Sequence, residues 1–407
     1  MPPSIRGKLL AALAAVLTVL LVCAGCQGGG SGTAAPSDAP SAADCKTAAG
    51  EPVDKKATTI ALVADNTASS ATAGAPPAAA SALADAQKQH DVLLLIPVDG
   101  PGKPVSIARR IPLDPYPGVD SAKADNGRRI VLGCVASWLG GPDMAPTAPG
   151  SDILAAVNFA ARQQPSRLVV ISDGVNSGGE FDLNQSAFDI DPDQLAASLA
   201  AGHALAGELA QRPVLWTGMA ATSPPLPDPV HAELNQIWTS ILTAASAVPT
   251  IDPRAGDRRA APTGAPADKV EVPASTITHV NCATRISIPG ALLFAGYSAR
   301  LQPGVDGALA EVVADLRRNP GWVGDIHGNT ADNRDVGQLD DVLSLQRARA
   351  VAGALTALGI DGSRLRPVGD GAGNPVADEF PNGQHDDVAA AKNRRVDVVL
   401  RPEGCRA

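Results

Sequence analysis

The chain has 407 residues, 45% of them hydrophobic but only 3% aromatic. That length suits two ordinary domains with cores built from Val, Leu, Ile and Ala. A formal charge of −9 and a pI near 5.2 argue against attraction to nucleic acid or to anionic headgroups, and leave a neutral or zwitterionic ligand compatible.

Arg6 and Lys8 precede an apolar run over 9–22, the charged and hydrophobic regions of an export signal. At fourteen residues the run is short for a membrane-spanning helix, which needs about 20. Ala24-Gly25-Cys26 follows, with the small residues and cysteine of a lipoprotein processing site; Cys23 stands where the common pattern has Leu. Residues 1–25 are therefore expected to be a signal peptide and Cys26 to be lipidated. Two acyl chains would give a stable membrane anchor. The alternative is cleavage by an ordinary peptidase, with Cys26 unmodified. Residues 26–50, rich in Gly, Ser, Ala and Pro, read as a flexible tether.

Over 51–250, apolar runs alternate with helical stretches. Residues 58–64, 91–98, 130–135, 168–171 and 213–217 read as strands. Residues 77–89, 153–162, 192–210 and 230–246 read as helices. Continuous apolar strands between helices predict an α/β domain with a mostly parallel sheet covered on both faces. A Pro-, Ala- and Arg-rich linker is expected over 251–275. The domain over 276–407 mixes shorter strands with amphipathic helices at 303–318 and 343–358, the second stopped by Gly359.

With Cys23 lost and Cys26 acylated, Cys45, Cys134, Cys282 and Cys405 remain, one pair in each domain. An exported compartment permits disulfides, and pairing within each domain is expected. No CxxC and no nearby His pair suggests zinc.

The C-terminal third carries an ordered set of motifs. Phe294 and Leu301-Gln302-Pro303 come first, then Ile326-His327-Gly328-Asn329-Thr330-Ala331-Asp332-Asn333 and Leu343-Ser344-Leu345-Gln346-Arg347-Ala348-Arg349-Ala350-Val351. Leu358-Gly359-Ile360, Arg364, Gly369-Asp370-Gly371, Asn374-Pro375 and Asn393-Arg394-Arg395-Val396 complete it. In this order and spacing the set resembles the OmpA-like peptidoglycan-binding domain, an α+β fold, over about 284–402. The resemblance implies a site for the diaminopimelate side group of the wall peptide. Matching Gly-His-Thr-Asp gives Asp332, with Thr330 and Asn333 beside it; matching Leu-Ser-x-x-Arg-Ala gives Arg347, fifteen residues on. A zwitterionic head needs a carboxylate for its ammonium and a guanidinium for its carboxylate, which arginine can meet with two parallel hydrogen bonds. Arg347 is expected one turn into a helix starting near Leu343, whose free N–H groups would add anion contacts. This chain departs from the pattern in two places. Gly328 to Asp332 spans four residues where the family has three, and Asp340 replaces a loop asparagine.

In the N-terminal half, Asp65-Asn66-Thr67-Ala68-Ser69 follows the first strand, Gly150-Ser151-Asp152-Ile153 opens a helix and Ile171-Ser172-Asp173-Gly174 ends a strand. These resemble the von Willebrand factor A (vWA) domain and its metal-ion-dependent adhesion site. The resemblance implies Asp65, Thr67, Ser69, Ser151 and Asp173 as ligands of Mg²⁺ or another divalent cation, for which an all-oxygen set is suited. An open coordination position would take a carboxylate from a partner. The plain alternative is turn and cap residues that bind nothing.

The expected function is a non-enzymatic envelope protein, lipid-anchored to a membrane and bound to peptidoglycan, with a middle domain presented to an unknown protein partner. The alternative is a wall hydrolase or peptidase with an OmpA-like anchor. It would need a nucleophile with its base or a carboxylate pair; the sequence has no Gly-x-Ser-x-Gly, no HExxH and no Cys beside a His, and His203 and His231 are isolated.

Overall fold

The computed structural model describes residues 39–70, 75–183, 188, 190–252, 254, 266, 270, 272–332, 337–383 and 385–405. Cys26 and Asn333 lie outside these residues. No helix among them is long and apolar enough to cross a membrane.

The segment expected to be a plain tether contains a helix, α1 (Ala42–Ala49). It opens on a capping box in which the Ser41 hydroxyl accepts the Asp44 N–H and the Asp44 carboxylate accepts the Ser41 N–H. A helix this short does not persist on local bonds alone. The Cys45–Cys134 disulfide, with Cα atoms 5.3 Å apart, pins it to the domain.

β1 (Thr59–Ala64) and β2 (Val92–Pro97) are buried on both faces. Ile60, Leu62, Leu93 and Leu95 point into one core, with α1, α2 (Pro77–Lys88) and α3 (Ala122–Leu139). Ala61, Val63, Leu94 and Ile96 point into the other, with α4 (Ile153–Arg162), α5 (Pro192–Ala201) and α6 (Asp228–Ala244). The remaining strands are β3 (Arg109–Pro112), β4 (Arg167–Ile171), the two-residue hairpin strands β5 (Ser177–Gly178) and β6 (Phe181–Asp182), β7 (Pro213–Thr217) and β8 (Val248–Asp252). The main sheet has the order β3-β2-β1-β4-β7-β8, parallel except for β3, which runs against β2 at the edge. Strand order reverses at β1, so loops after β1 and β4 share one edge, where open α/β sheets carry their sites.

Residues 130–135, read as a strand, lie inside α3. Ser121 caps that helix at the Ala124 N–H, 3.2 Å away. The reading failed because it stopped at six residues. Val131, Cys134, Val135 and Trp138 recur at helical spacing, and all four are buried.

The second sheet is formed by β9 (Thr276–Val280), β10 (Ala283–Pro289), β11 (Trp322–Asn329), β12 (Leu365–Gly371) and β13 (Arg395–Pro402), in the order β12-β11-β13-β10-β9. β11 and β12 are parallel and the other pairs antiparallel. The helix expected over 303–318 is interrupted at Leu309 into α7 (Val305–Ala308) and α8 (Ala310–Arg318). The next, α9 (Gly337–Ala357), begins earlier than expected. α10 (Asp387–Asn393) leads into β13. Cys282 and Cys405 form the second disulfide, Cα atoms 6.1 Å apart.

The two sheets belong to one compact unit from residue 39 onward, and one apolar cluster runs through both domains. At their junction the buried Gln302 amide donates to Glu233 of α6 at 3.2 Å and to the Phe294 carbonyl at 2.9 Å.

Candidate functional site

Two glycines bring α9 down onto the second sheet. A Cβ at Gly328 would lie 2.0 Å from the Ser344 carbonyl oxygen, and one at Gly369 would lie 2.7 Å from the Leu345 nitrogen. With no side chain in the way, the backbone at Ser344 and Leu345 rests directly on β11 and β12, and the Ser344 hydroxyl accepts the Gly371 N–H at 3.1 Å. This contact fixes how far along the sheet edge Arg347 stands.

Arg347 is only 1% exposed. Its Nε donates to the Ser298 carbonyl at 2.9 Å and its Nη2 to the Gly296 carbonyl at 3.3 Å. Its guanidinium carbon lies 4.9 Å from the Phe294 ring centre and 5.8 Å from that of Tyr297, within cation–π range. One expectation is corrected: α9 starts at Gly337, so Arg347 sits in its middle and Leu343 is not at a helix start. Nε and Nη2 of Arg347 hold the 296–298 loop.

Asp340, the departure from the family's asparagine, is buried and accepts a hydrogen bond from the Tyr297 hydroxyl. Burial, together with that bond and the Asp340 charge, pushes Tyr297 up to about 12, so the phenol remains a donor.

Asp332 lies three residues beyond β11 with its side chain exposed. Thr330 donates its N–H to Gly371 at 2.9 Å. The Thr330 hydroxyl is buried with no hydrogen-bond partner among the described residues. The Asp332 N–H donates to Glu379 at 2.7 Å, a contact 47 residues away in sequence that no motif announced.

In the first domain four residues of the expected cation set, Asp65, Thr67, Ser69 and Ser151, are linked by short contacts after β1, and Asp173 follows β4 at the same sheet edge. Asp65 accepts the Thr67 N–H at 3.1 Å and its hydroxyl at 2.7 Å. The Thr67 hydroxyl is 3.3 Å from that of Ser69 and 3.4 Å from that of Ser151. Ser172 donates to the other Asp65 oxygen at 2.9 Å. Asp173 is held through its N–H to the Ser70 hydroxyl, 3.0 Å, and its carboxylate accepts the Val175 N–H, 2.9 Å. The five are at most 1% exposed, so a partner's carboxylate does not reach them in this conformation. The Asp65 carboxylate and three hydroxyls linked at hydrogen-bond spacing, with Asp173 following β4, are oxygen donors of the kind a hard divalent cation takes.

Residues that sequence reasoning missed support this edge. The Asn176 side-chain oxygen accepts from Ile153 and Leu154 at 2.8 and 3.1 Å, capping α4 beside Ser151. Trp216 and Trp238 donate their indole N–H groups to the Ser172 and Gly174 carbonyls at 2.9 and 2.7 Å. Buried indoles seek such partners, but nothing local in the sequence says where they lie.

Residues 293–388 match the OmpA family model, so the chain carries an OmpA family domain there. It is similar to the probable lipoprotein YiaD of Escherichia coli, 33% identical over 136 residues, covering 33% of this chain and 59% of the relative. It is also similar to the peptidoglycan-binding protein ArfA of Mycobacterium tuberculosis, 36% identical over 112 residues, covering 27% of this chain and 32% of the relative. The chain thus spans less than two thirds of the length of both. Among solved structures it is similar to the peptidoglycan-associated lipoprotein of Burkholderia pseudomallei, 31% identical over 26% of this chain and 85% of that one, with a TM-score of 0.23.

Proposed function

We propose that this protein is a non-enzymatic component of the cell envelope that binds peptidoglycan non-covalently through its diaminopimelate groups and is held to a membrane by lipid on Cys26. The OmpA family domain over 293–388 carries the reading. Within it, Asp332 offers an exposed carboxylate at the end of β11 for the ligand's ammonium. Arg347 supplies positive charge from beneath the 296–298 loop for its carboxylate. The names of the relatives, a lipoprotein and a peptidoglycan-binding protein, support an envelope location and a binding role. Purified protein should sediment with insoluble peptidoglycan, and free diaminopimelate should release it. Sedimentation unaffected by excess diaminopimelate would overturn the choice of ligand, and failure to sediment would overturn the function.

The first domain is read as vWA-like, with a divalent cation held by Asp65, Thr67, Ser69, Ser151 and Asp173 and a protein partner bound at the same edge. Strand order and the linked side chains of Asp65, Thr67, Ser69 and Ser151, at the sheet edge where β4 leads into Asp173, support this. A bound cation would supply charge for a partner's carboxylate, and the loops after β1 and β4 would have to open to admit it. Mg²⁺ or Mn²⁺ at one hundred times its dissociation constant should stabilise the protein by about 2.7 kcal/mol, since it binds only the folded state. Asp65→Asn, which keeps one acceptor oxygen for Thr67, should abolish that shift in melting temperature. A flat response of the unaltered protein to millimolar metal would end the cation reading and leave the sheet as described.

A further inference from the structure

We infer that Glu379 is a positioning residue for Asp332, holding the backbone from which that carboxylate reaches its ligand. The inference rests on the diamino-acid reading above. β11 ends at Asn329, so Asp332 has left the sheet ladder that fixes its predecessors. Its N–H instead donates to Glu379 Oε2 at 2.7 Å, and the other carboxylate oxygen accepts from the Asn393 amide at 2.6 Å. Glu379 is 5% exposed and Asn393 1%. Asn393, at the end of α10, also accepts the N–H groups of Val376 and Ala377 at 2.7 and 3.0 Å and donates to the Ala377 carbonyl at 2.8 Å. The amide thereby locks the segment that carries Glu379, and Glu379 passes that rigidity to Asp332.

Both carboxylate oxygens are engaged as acceptors, which a glutamine cannot reproduce. Its amide has one acceptor oxygen, so either the Asp332 N–H or the Asn393 amide loses its partner. A contact chosen only for stability would act on the whole domain. One that aims Asp332 would act on ligand affinity, and only while Asp332 is there to be aimed.

The test measures affinity of the full chain for insoluble peptidoglycan, with free diaminopimelate as competitor, in the unaltered protein, E379Q, D332N and the double variant. E379Q should weaken binding about tenfold, the scale of one charge-assisted hydrogen bond, and add nothing further in the D332N background. Melting curves accompany each variant; if E379Q does not fold, E379D, which keeps both acceptors on a shorter arm, replaces it with the same expected pattern. Unchanged affinity in E379Q beside a loss in D332N would overturn the positioning role alone. An equal loss from E379Q in both backgrounds would also overturn it. Full affinity in D332N would overturn the ligand site itself.

Discussion

Asp332→Ala and Arg347→Ala should both lose wall binding, yet only the second should lose stability. Asp332 is exposed, and its side chain lies outside the packed core. Removing a charge-assisted contact to a ligand ammonium costs about 1.5–3 kcal/mol, roughly ten- to a hundredfold in affinity. The melting temperature should stay within experimental error. Arg347 is buried, and its loss removes the side-chain donor to the Ser298 carbonyl, takes one of two donors from the Gly296 carbonyl and leaves a void under Phe294 and Tyr297. An orphaned buried acceptor costs roughly 1–3 kcal/mol, so with the lost packing the total should reach about 3–5 kcal/mol. Thermal denaturation and wall sedimentation on the same samples check the contrast. An Arg347→Ala protein that melts like the unaltered chain would contradict the buried placement described here.

Replacing Cys282 and Cys405 together by Ser should lower stability by as much. The disulfide closes 123 residues. Cross-linking so long a loop stabilises by about 4–5 kcal/mol in the chain-entropy model, with 2–4 kcal/mol typical in practice. The two cysteines flank β10 and β13, which are already paired from Thr284 to Leu400. The bond therefore adds little to the native contacts and acts mainly on the unfolded chain. Peptide mass mapping without reductant should recover the Cys282–Cys405 cross-link, and the urea midpoint of the double variant should fall. An unchanged midpoint would show that the unfolded ensemble is not restrained by it.

What could be read from the sequence follows from the range over which each signal acts. β1, β2 and β4 were legible because unbroken apolar runs leave a buried strand few alternatives. The places of Asp65, Ser151 and Asp173 were legible because each follows a strand or precedes a helix, where short motifs are informative. β3 escaped because Arg109-Arg110-Ile111-Pro112 has only one fully buried side chain, Ile111. α1 escaped because eight Ala-rich residues carry no pattern strong enough to outweigh the Gly- and Ser-rich stretch before them; the crosslink at Cys45 is what makes a helix there persist. The surroundings of Arg347 were not legible, because the carbonyls that hold it come from residues 49 and 51 positions away. Glu379 lies beyond the reach of local pattern for the same reason.

If the chain is anchored near Cys26 and held by a wall as proposed, the crosslink between Cys45 and Cys134 acquires a mechanical meaning. Tension arriving from the N-terminal side crosses from α1 straight into α3, and the strands β1, β2 and β3 drop out of the covalent load path. The chain across the sequence separation of 89 between the two cysteines cannot pay out as slack, which at full extension would lengthen the tether by roughly 300 Å. The second crosslink does the same for the other end. Asp332 and Arg347 both lie inside the Cys282–Cys405 loop, so a pull applied at the ligand reaches Cys282 by two covalent routes, one along the chain and one through Cys405, and neither can unravel alone.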